Sequence, residues 1–304
     1  MKKIIWSIDP FSDIHHGLNR SSEVLKLLQK KYNCQIQPVY VLSLRTVPWV
    51  GNVTPPPLKK LNPQIITACE KWINKTKIKT LPPKILVSQD TSRGSEVKKL
   101  LSFSKKFKAD TILVNTHARK GMSRILLGSF AETLLTHAKI PLLFVSPNTK
   151  PIKKLDKAIF ATDFSKKSKK ALQLFCKLTK GLVKSISLLN EMTHTLGAFQ
   201  QSSMTLPEGS FISYDEFIDL EKKVRQKKSA SFLKLVKTFK LKSLLKIETN
   251  AGTLSENIIE FSKNQRADML ALASESGTVS SLVLGSTARN VIRLSDRPVW
   301  VYHV

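Results

Sequence analysis

Short apolar runs alternate with longer amphipathic stretches along the whole chain. Runs rich in Val, Ile and Leu predict strands at Ile4–Ile8, Ile36–Leu42, Ile85–Ser88, Thr111–Val114 and Leu142–Val145. Between them apolar residues recur at helical spacing near Gly17–Lys31, Lys59–Lys75, Glu96–Phe107 and Arg124–His137. The second half predicts strands near Lys157–Ala161, Ser185–Leu189, Leu245–Glu248, Met269–Leu272 and Val299–Val301. Continuous apolar strands separated by helices imply a parallel sheet covered on both faces. A helix near Phe211–Phe239 carries Phe217, Leu220, Val224, Phe232, Leu235 and Val236 amid lysines and is expected to pack on its sheet. The proline-rich stretch 46–64 and the Ser/Thr/Gly/Met-rich stretch 191–210 occupy the same place in each half and read as loops.

The two halves resemble one another. Ile4-Ile5-Trp6-Ser7-Ile8-Asp9 returns as Ala158-Ile159-Phe160-Ala161-Thr162-Asp163. Phe103-Ser104-Lys105 before Ala109-Asp110 returns as Phe261-Ser262-Lys263 before Ala267-Asp268, and Leu127-Gly128-Ser129 before Pro141 returns as Leu284-Gly285-Ser286 before Pro298. These landmarks keep their order at offsets of 154 to 158 residues, the mark of a tandem duplication. The expected architecture is α/β: two tandem doubly wound, Rossmann-like domains, each with a five-stranded parallel sheet. Periodicity breaks at Pro147, Asn148, Thr149, Lys150 and Pro151. The expected division is domain 1 over 1–147, a linker over 148–152 and domain 2 over 153–304.

The 304-residue length suits two domains, and 41% hydrophobic residues with a mean hydropathy of −0.12 suit packed cores. No apolar run reaches a membrane-spanning length, and the apolar start ends at Asp9, too early for a signal peptide. Cys34, Cys69 and Cys176 are widely spaced, so neither a disulfide framework nor a zinc knuckle is indicated. The expected location is the cytoplasm. Fifty basic residues against 22 acidic give a net charge of +28, which attracts nucleic acid or other anionic partners. The excess is shared, with 25 basic and 8 acidic residues in 1–150 and 25 and 14 in 151–304. Lysines interleaved with apolar positions, as at Lys98, Lys99, Lys105, Lys106 and Lys108, read as solvated helix faces rather than a dedicated nucleic-acid surface.

Ligands of open parallel sheets bind beyond the carboxyl ends of the strands, where strand order reverses. That selects Asp9 after the first strand, suited to a ribose hydroxyl, and the segment Asn115-Thr116-His117-Ala118-Arg119-Lys120-Gly121-Met122-Ser123-Arg124 after the fourth. Gly128-Ser129-Phe130 then opens a helix whose N–H groups could meet phosphate, with Arg119, Lys120 and Arg124 adding charge. The bland alternative is a loop–helix junction whose glycine only permits close packing. His15-His16 after Asp13 reads as a solvated helix start rather than a metal site, there being no further Cys/His cluster. No GxSxG, HExxH or P-loop occurs.

The segment NTHARKGMSRILLGSFAETLLTHAKIPLLFV, with Asp9, Ala109-Asp110 and the second ATDFS, resembles the universal stress protein family over nearly the whole chain, as two domains in tandem. The resemblance implies an adenine-nucleotide-hydrolase-like fold and a regulatory module rather than a dedicated enzyme. It implies ATP or a related adenine nucleotide, with Mg, in a loop of the form G-x2-G-x9-G-(S/T). Asp9, Val41, Gly128 and Ser129 match that pattern, with Arg119 and Phe130 beside it, while Asn115 and Ala118 stand at the first two glycine positions. Asn tolerates left-handed geometry; Ala118 adds a methyl where backbone should approach phosphate. Domain 2 lacks both glycines and carries Glu275, so its site is expected to be degenerate. Family members pair through their fifth strands, so the resemblance implies an internal pseudo-dimer through IPLLFV and RPVWVYHV, besides a homodimer and an unidentified protein partner. A structural or interaction protein that binds no nucleotide, a slow nucleotide hydrolase, and a nucleic-acid or anionic-partner binder remain the alternatives.

Overall fold

A computed structural model of the chain describes residues 1–11, 15–43, 58–88, 90, 92, 94–116, 127–192, 212–248, 252–274 and 286–303, with side chains omitted for 15–18 and 58–61. In chain order the first half runs β1 (Lys3–Ser7), α1 (His15–Tyr32), β2 (Gln35–Ser43), α2 (Leu58–Asn74), β3 (Lys84–Ser88), α3 (Ser95–Phe107), β4 (Thr111–Asn115), α4 (Ser129–His137) and β5 (Leu142–Val145). The second runs β6 (Lys157–Ala161), α5 (Lys166–Leu178), β7 (Ser185–Glu191), α6 (Tyr214–Thr238), β8 (Lys242–Glu248), α7 (Leu254–Asn264), β9 (Met269–Ser274), α8 (Ser286–Leu294) and β10 (Val299–His303).

All ten strands among the described residues form one sheet, ordered β3-β2-β1-β4-β5-β10-β9-β6-β7-β8. Each half is parallel in the order 3-2-1-4-5, with its reversal point between β1 and β4 or between β6 and β9. The halves join where β5 and β10 pair antiparallel, Val299 opposite Phe144, Trp300 opposite Leu143 and Val301 opposite Leu142. The strands expected to pair therefore do so. Under the 157-residue repeat offset set by Gly128 and Gly285, Leu143 and Trp300 are equivalent positions. The seam is thus isologous, with its pseudo-twofold axis passing near this central pair.

The sheet separates two helix layers. One buries Val24 and Leu25 of α1, Cys69 and Trp72 of α2, Leu172 and Phe175 of α5, and Phe232 and Val236 of α6. The other buries Val97 and Leu100 of α3, Leu134 and Leu135 of α4, Ile258 and Ile259 of α7, and Val291 and Ile292 of α8.

Local chemistry accounts for the repeated Ala-Asp landmark. Helices α3 and α7 are followed by turns that place Lys108 at φ 56° and Arg266 at φ 49°. Ala109 N–H returns to the Ser104 carbonyl at 3.0 Å and Ala267 N–H to that of Ser262 at 3.0 Å, closing each helix. Asp110 then accepts hydrogen bonds from the N–H groups of Lys2 and Lys3, as Asp268 does from those of Asp156 and Lys157. Each carboxylate fastens the start of its copy's first strand. At the N-terminus of α3, Gly94 has φ 85°, and a Cβ there would lie 3.0 Å from the Thr133 methyl, so glycine meets both demands.

Several sequence expectations need correction. Leu127 and Gly128 are not helical: Gly128 has ψ 155°, so α4 begins at Ser129 rather than Arg124, of which 124–126 lie outside the described residues. The region 46–64 is not wholly loop, because α2 starts at Leu58 and contains Pro63. Position 191, expected in a loop, ends β7. Strand β8 begins at Lys242, three residues before the expected start, because Lys242, Ser243 and Leu244 at the sheet edge are exposed and carry no apolar alternation. On α6, Phe217, Phe232 and Val236 are buried, but Leu220 and Val224 are 51% and 44% exposed. All three cysteines are buried and free.

Candidate functional site

The carboxyl ends of β1 and β4 lie side by side, paired as far as Ser7 opposite Val114. Two residues beyond this pair stand Asp9 on one strand and Thr116 on the other. The Asp9 Oδ1 atom accepts the N–H of Phe11 at 3.1 Å, fixing the carboxylate in a tight turn at the crevice. Asp163 accepts the N–H of Ser165 at 2.9 Å, so the second copy keeps this turn.

Asp9 sits among groups that remain protonated. Burial, then the Asp9 charge, pushes the Tyr40 hydroxyl up to about 12. Burial and the same carboxylate push the Cys69 thiol up to about 12. Tyr40 meets the exposed ring of Phe11 edge to face at 5.7 Å. Val41, beside Tyr40 on β2, is half-buried on the opposite face of the sheet, against the layer of α3 and α4.

At the end of β4, Asn115 Oδ1 and Thr116 Oγ1 are buried with no hydrogen-bond partner among the described residues. Buried polar atoms are nearly always satisfied, so two adjacent orphans at the reversal point are unusual. Asn115 is the last residue of an extended strand and has no left-handed φ, so the tolerance invoked for it is not used. Across the crevice, α4 opens at Gly128 with no side-chain cap; Ser129 is exposed and Phe130 half-buried. The first N–H groups of such a helix suit an anion.

The structure thus brings Asp9 and Asn115 to the reversal point and sets Val41 and Gly128-Ser129-Phe130 on the elements around it. Ala118 and Arg119, with His117, Lys120 and Arg124, lie outside the described residues, as does Glu275. The described side chains of both copies contain no group of three or more His, Cys, Asp or Glu able to hold a metal ion, and no described helix is long and apolar enough to cross a membrane.

The universal stress protein family model matches residues 1–146 and again 154–303. The chain belongs to the universal stress protein family. Its two family domains stand in tandem. A curated relative, the universal stress protein MJ0531 of Methanocaldococcus jannaschii, is 25% identical over 118 residues, covering 39% of this chain and 68% of the relative. Two solved structures share the whole fold: a universal stress protein from Archaeoglobus fulgidus, with TM-score 0.62, 18% identity, and coverage of 99% of this chain and 98% of that one; and a protein of unknown function, PA1789 from Pseudomonas aeruginosa, with TM-score 0.62, 13% identity, and coverage of 100% and 92%.

Within this universal stress protein the second crevice is built differently. Strand registers make Glu191 the counterpart of Val41, Asn190 that of Tyr40 and Ala273 that of Asn115. Glu191 is buried, and its Oε1 accepts from Asn257 Nδ2 at 2.7 Å. Asn190 donates to the Thr162 carbonyl at 2.7 Å and accepts from Arg225 at 3.1 Å. Sequence reasoning missed Glu191 because it aligned loops; carrying the strand register across the repeat would have found it. It also passed over Thr116, which only burial singles out.

Proposed function

We propose that the first copy is a regulatory adenine-nucleotide site and that the second is a degenerate, mainly structural copy. The observation carrying this reading is the pair of orphaned buried atoms, Asn115 Oδ1 and Thr116 Oγ1, beside Asp9. Left unmet, such atoms cost about 1–3 kcal/mol each, and a ligand with hydroxyl or amino donors would satisfy them. Asp9 would take ribose hydroxyls, Val41 would hold the nucleoside, and the phosphates would lie toward Gly128-Ser129, with Arg119 and Mg offsetting their charge. Ala118 and Phe130 would flank that path. Domain 1 spans 1–147, the linker 148–152 and domain 2 153–304 in this reading, with the antiparallel seam serving as an internal pseudo-dimer in a cytoplasmic protein.

The module binds rather than catalyses: occupancy would engage the segment after β4 and alter a partner surface, and any hydrolysis would be slow and incidental. In the second copy, Glu191 places a buried carboxylate, bonded to Asn257, where Val41 would hold the nucleoside in the first, so an apolar contact is replaced by a polar group. Mass spectrometry of denatured, freshly purified protein should release an adenine nucleotide, and Asp9→Ala should abolish its recovery. Absence of nucleotide in the purified protein, together with no binding at millimolar ATP, would support a purely structural or interaction role instead.

A further inference from the structure

Positive charge is unequal between the two layers of described helices. Helices α1, α2, α5 and α6 form one layer, and their described side chains include 17 Lys or Arg against 6 Asp or Glu. Helices α3, α4, α7 and α8 on the other face carry 7 against 4. On α5 the exposed Lys166, Lys170 and Lys177, continued by Lys180, form a single stripe at spacings of four, seven and three residues with no acidic residue. The four acidic residues of α6 all lie in its first eight positions, leaving the exposed Lys223, Lys227, Lys234 and Lys237 without a carboxylate among them.

The layer is continuous across the seam. The side chain of Lys31, at the end of α1, lies against Gly181 just beyond α5, so a cation of the first copy reaches the chain directly after Lys180 of the second. Between α1 and the end of α2 a cavity of about 280 Å³ is lined by Arg20, Lys26 and Lys75, with Glu23. Like charges gathered this closely repel one another unless an anion lies over them.

We propose that this layer binds the phosphate backbone of a duplex nucleic acid, without base-sequence preference. Its two arginines are engaged internally, Arg20 with Glu23 and Arg225 with Glu221 and Asn190, so the outward cations are lysines, suited to point-charge contact with phosphate rather than bidentate base reading. The exposed apolar residues of the layer, Tyr214, Leu220 and Val224, accompany the acidic half of α6, which disfavours an anionic membrane. No exposed aromatic ring stands among the described lysines of the stripes, which disfavours single-strand stacking.

The test is fluorescence anisotropy of the full chain with a mixed-sequence duplex of about 20 base pairs. Engagement of about five phosphates predicts a log–log salt slope near −4.5, and an affinity loss of about a hundredfold or more from about 50 to 200 mM monovalent salt. The triple variant Lys30→Glu/Lys170→Glu/Lys177→Glu should weaken binding at least about tenfold, while Lys98→Glu/Lys99→Glu/Lys105→Glu on the other layer, with the same change in net charge, should weaken it less than about threefold. Lysine acetylation footprinting of the unmodified protein, independent of how the variants fold, should show duplex-protected Lys170 and Lys177 and unprotected Lys98 and Lys99. No binding at the lower salt, equal losses in the two variants, reversed protection, or preference for single strands or phosphatidylserine vesicles over duplex would overturn the proposal.

Discussion

Glu132 and Arg289 occupy equivalent positions in the two copies and meet across the pseudo-twofold axis, with their charged groups 3.6 Å apart. In a symmetric dimer of one copy this position would face itself, and glutamate would oppose glutamate. Joining two copies in one chain lets them differ, and the axis carries an attraction instead. The pair is well exposed, so its contribution is small, about 0.5 kcal/mol. Arg289→Glu should lower stability by about that amount and Glu132→Arg likewise, while the double exchange should recover most of the loss. A double-mutant cycle from urea denaturation measures the coupling; strictly additive effects would show that the contact contributes nothing.

Asp110 and Asp268 each bind two backbone N–H groups at the start of a first strand. In each copy both N–H groups go to one oxygen, Oδ2, so Asn can keep both contacts through its carbonyl oxygen but loses the charge that strengthens them. Each substitution should cost about 1–2 kcal/mol in a urea melt, with similar effects in the two copies. Nucleotide binding by Asp268→Asn should match that of the parent protein.

Thr116→Val removes an orphaned hydroxyl with little change of volume. Nucleotide-free protein should be unchanged or more stable by up to about 1 kcal/mol, whereas nucleotide affinity should fall. Ser274 Oγ, at the equivalent position of the second copy, is also buried with no partner among the described residues. Ser274→Ala should leave nucleotide affinity unaltered. Calorimetric titration and thermal melts separate the two effects, and a clear loss of stability in Thr116→Val would point to a partner for the hydroxyl.

Asn257→Ala withdraws the 2.7 Å hydrogen bond to buried Glu191. The expected loss is about 1–3 kcal/mol in chemical denaturation, reduced when Glu191→Val is made as well. Equal losses in the single and double variants would show that the bond does not tie these residues together.

Burial, reinforced by the nearby charges of His137 and Lys167, holds the His303 imidazole below its ordinary value of 6.5. The fold therefore favours the neutral ring, and the unfolded chain takes up the proton first as pH falls. Stability should be greatest above pH 6.5 and decline as pH drops below it. Urea midpoints measured from about pH 7 to about pH 5 should show this slope, and His303→Gln should flatten it.

Much of the fold was legible because strand and helix periodicities are local. All ten strands fall where apolar runs predicted them, and the poorest boundary is edge strand β8, whose exposed Lys242-Ser243-Leu244 carries no apolar signal. The places of Asp9 beyond β1 and of Gly128-Ser129 at the start of α4 were likewise legible, because strand ends and helix starts recur at fixed places along a doubly wound chain. Glu191 was not, because its meaning comes from strand register: it matters only as the counterpart of Val41.

The sequence by itself determined the duplication, the alternation of strands and helices and the landmarks where each copy's first strand is fastened, since each depends on neighbours within a few residues or on a repeat offset. Tertiary structure alone decided which atoms would be buried without partners at the end of β4, and that α1, α2, α5 and α6 would share one layer. Those four helices are separated in the chain, and the side of the sheet each occupies follows from how its connection crosses over. A net charge that looked evenly spread along the sequence is unequal between the two layers of described helices, 17 basic against 6 acidic residues on one and 7 against 4 on the other.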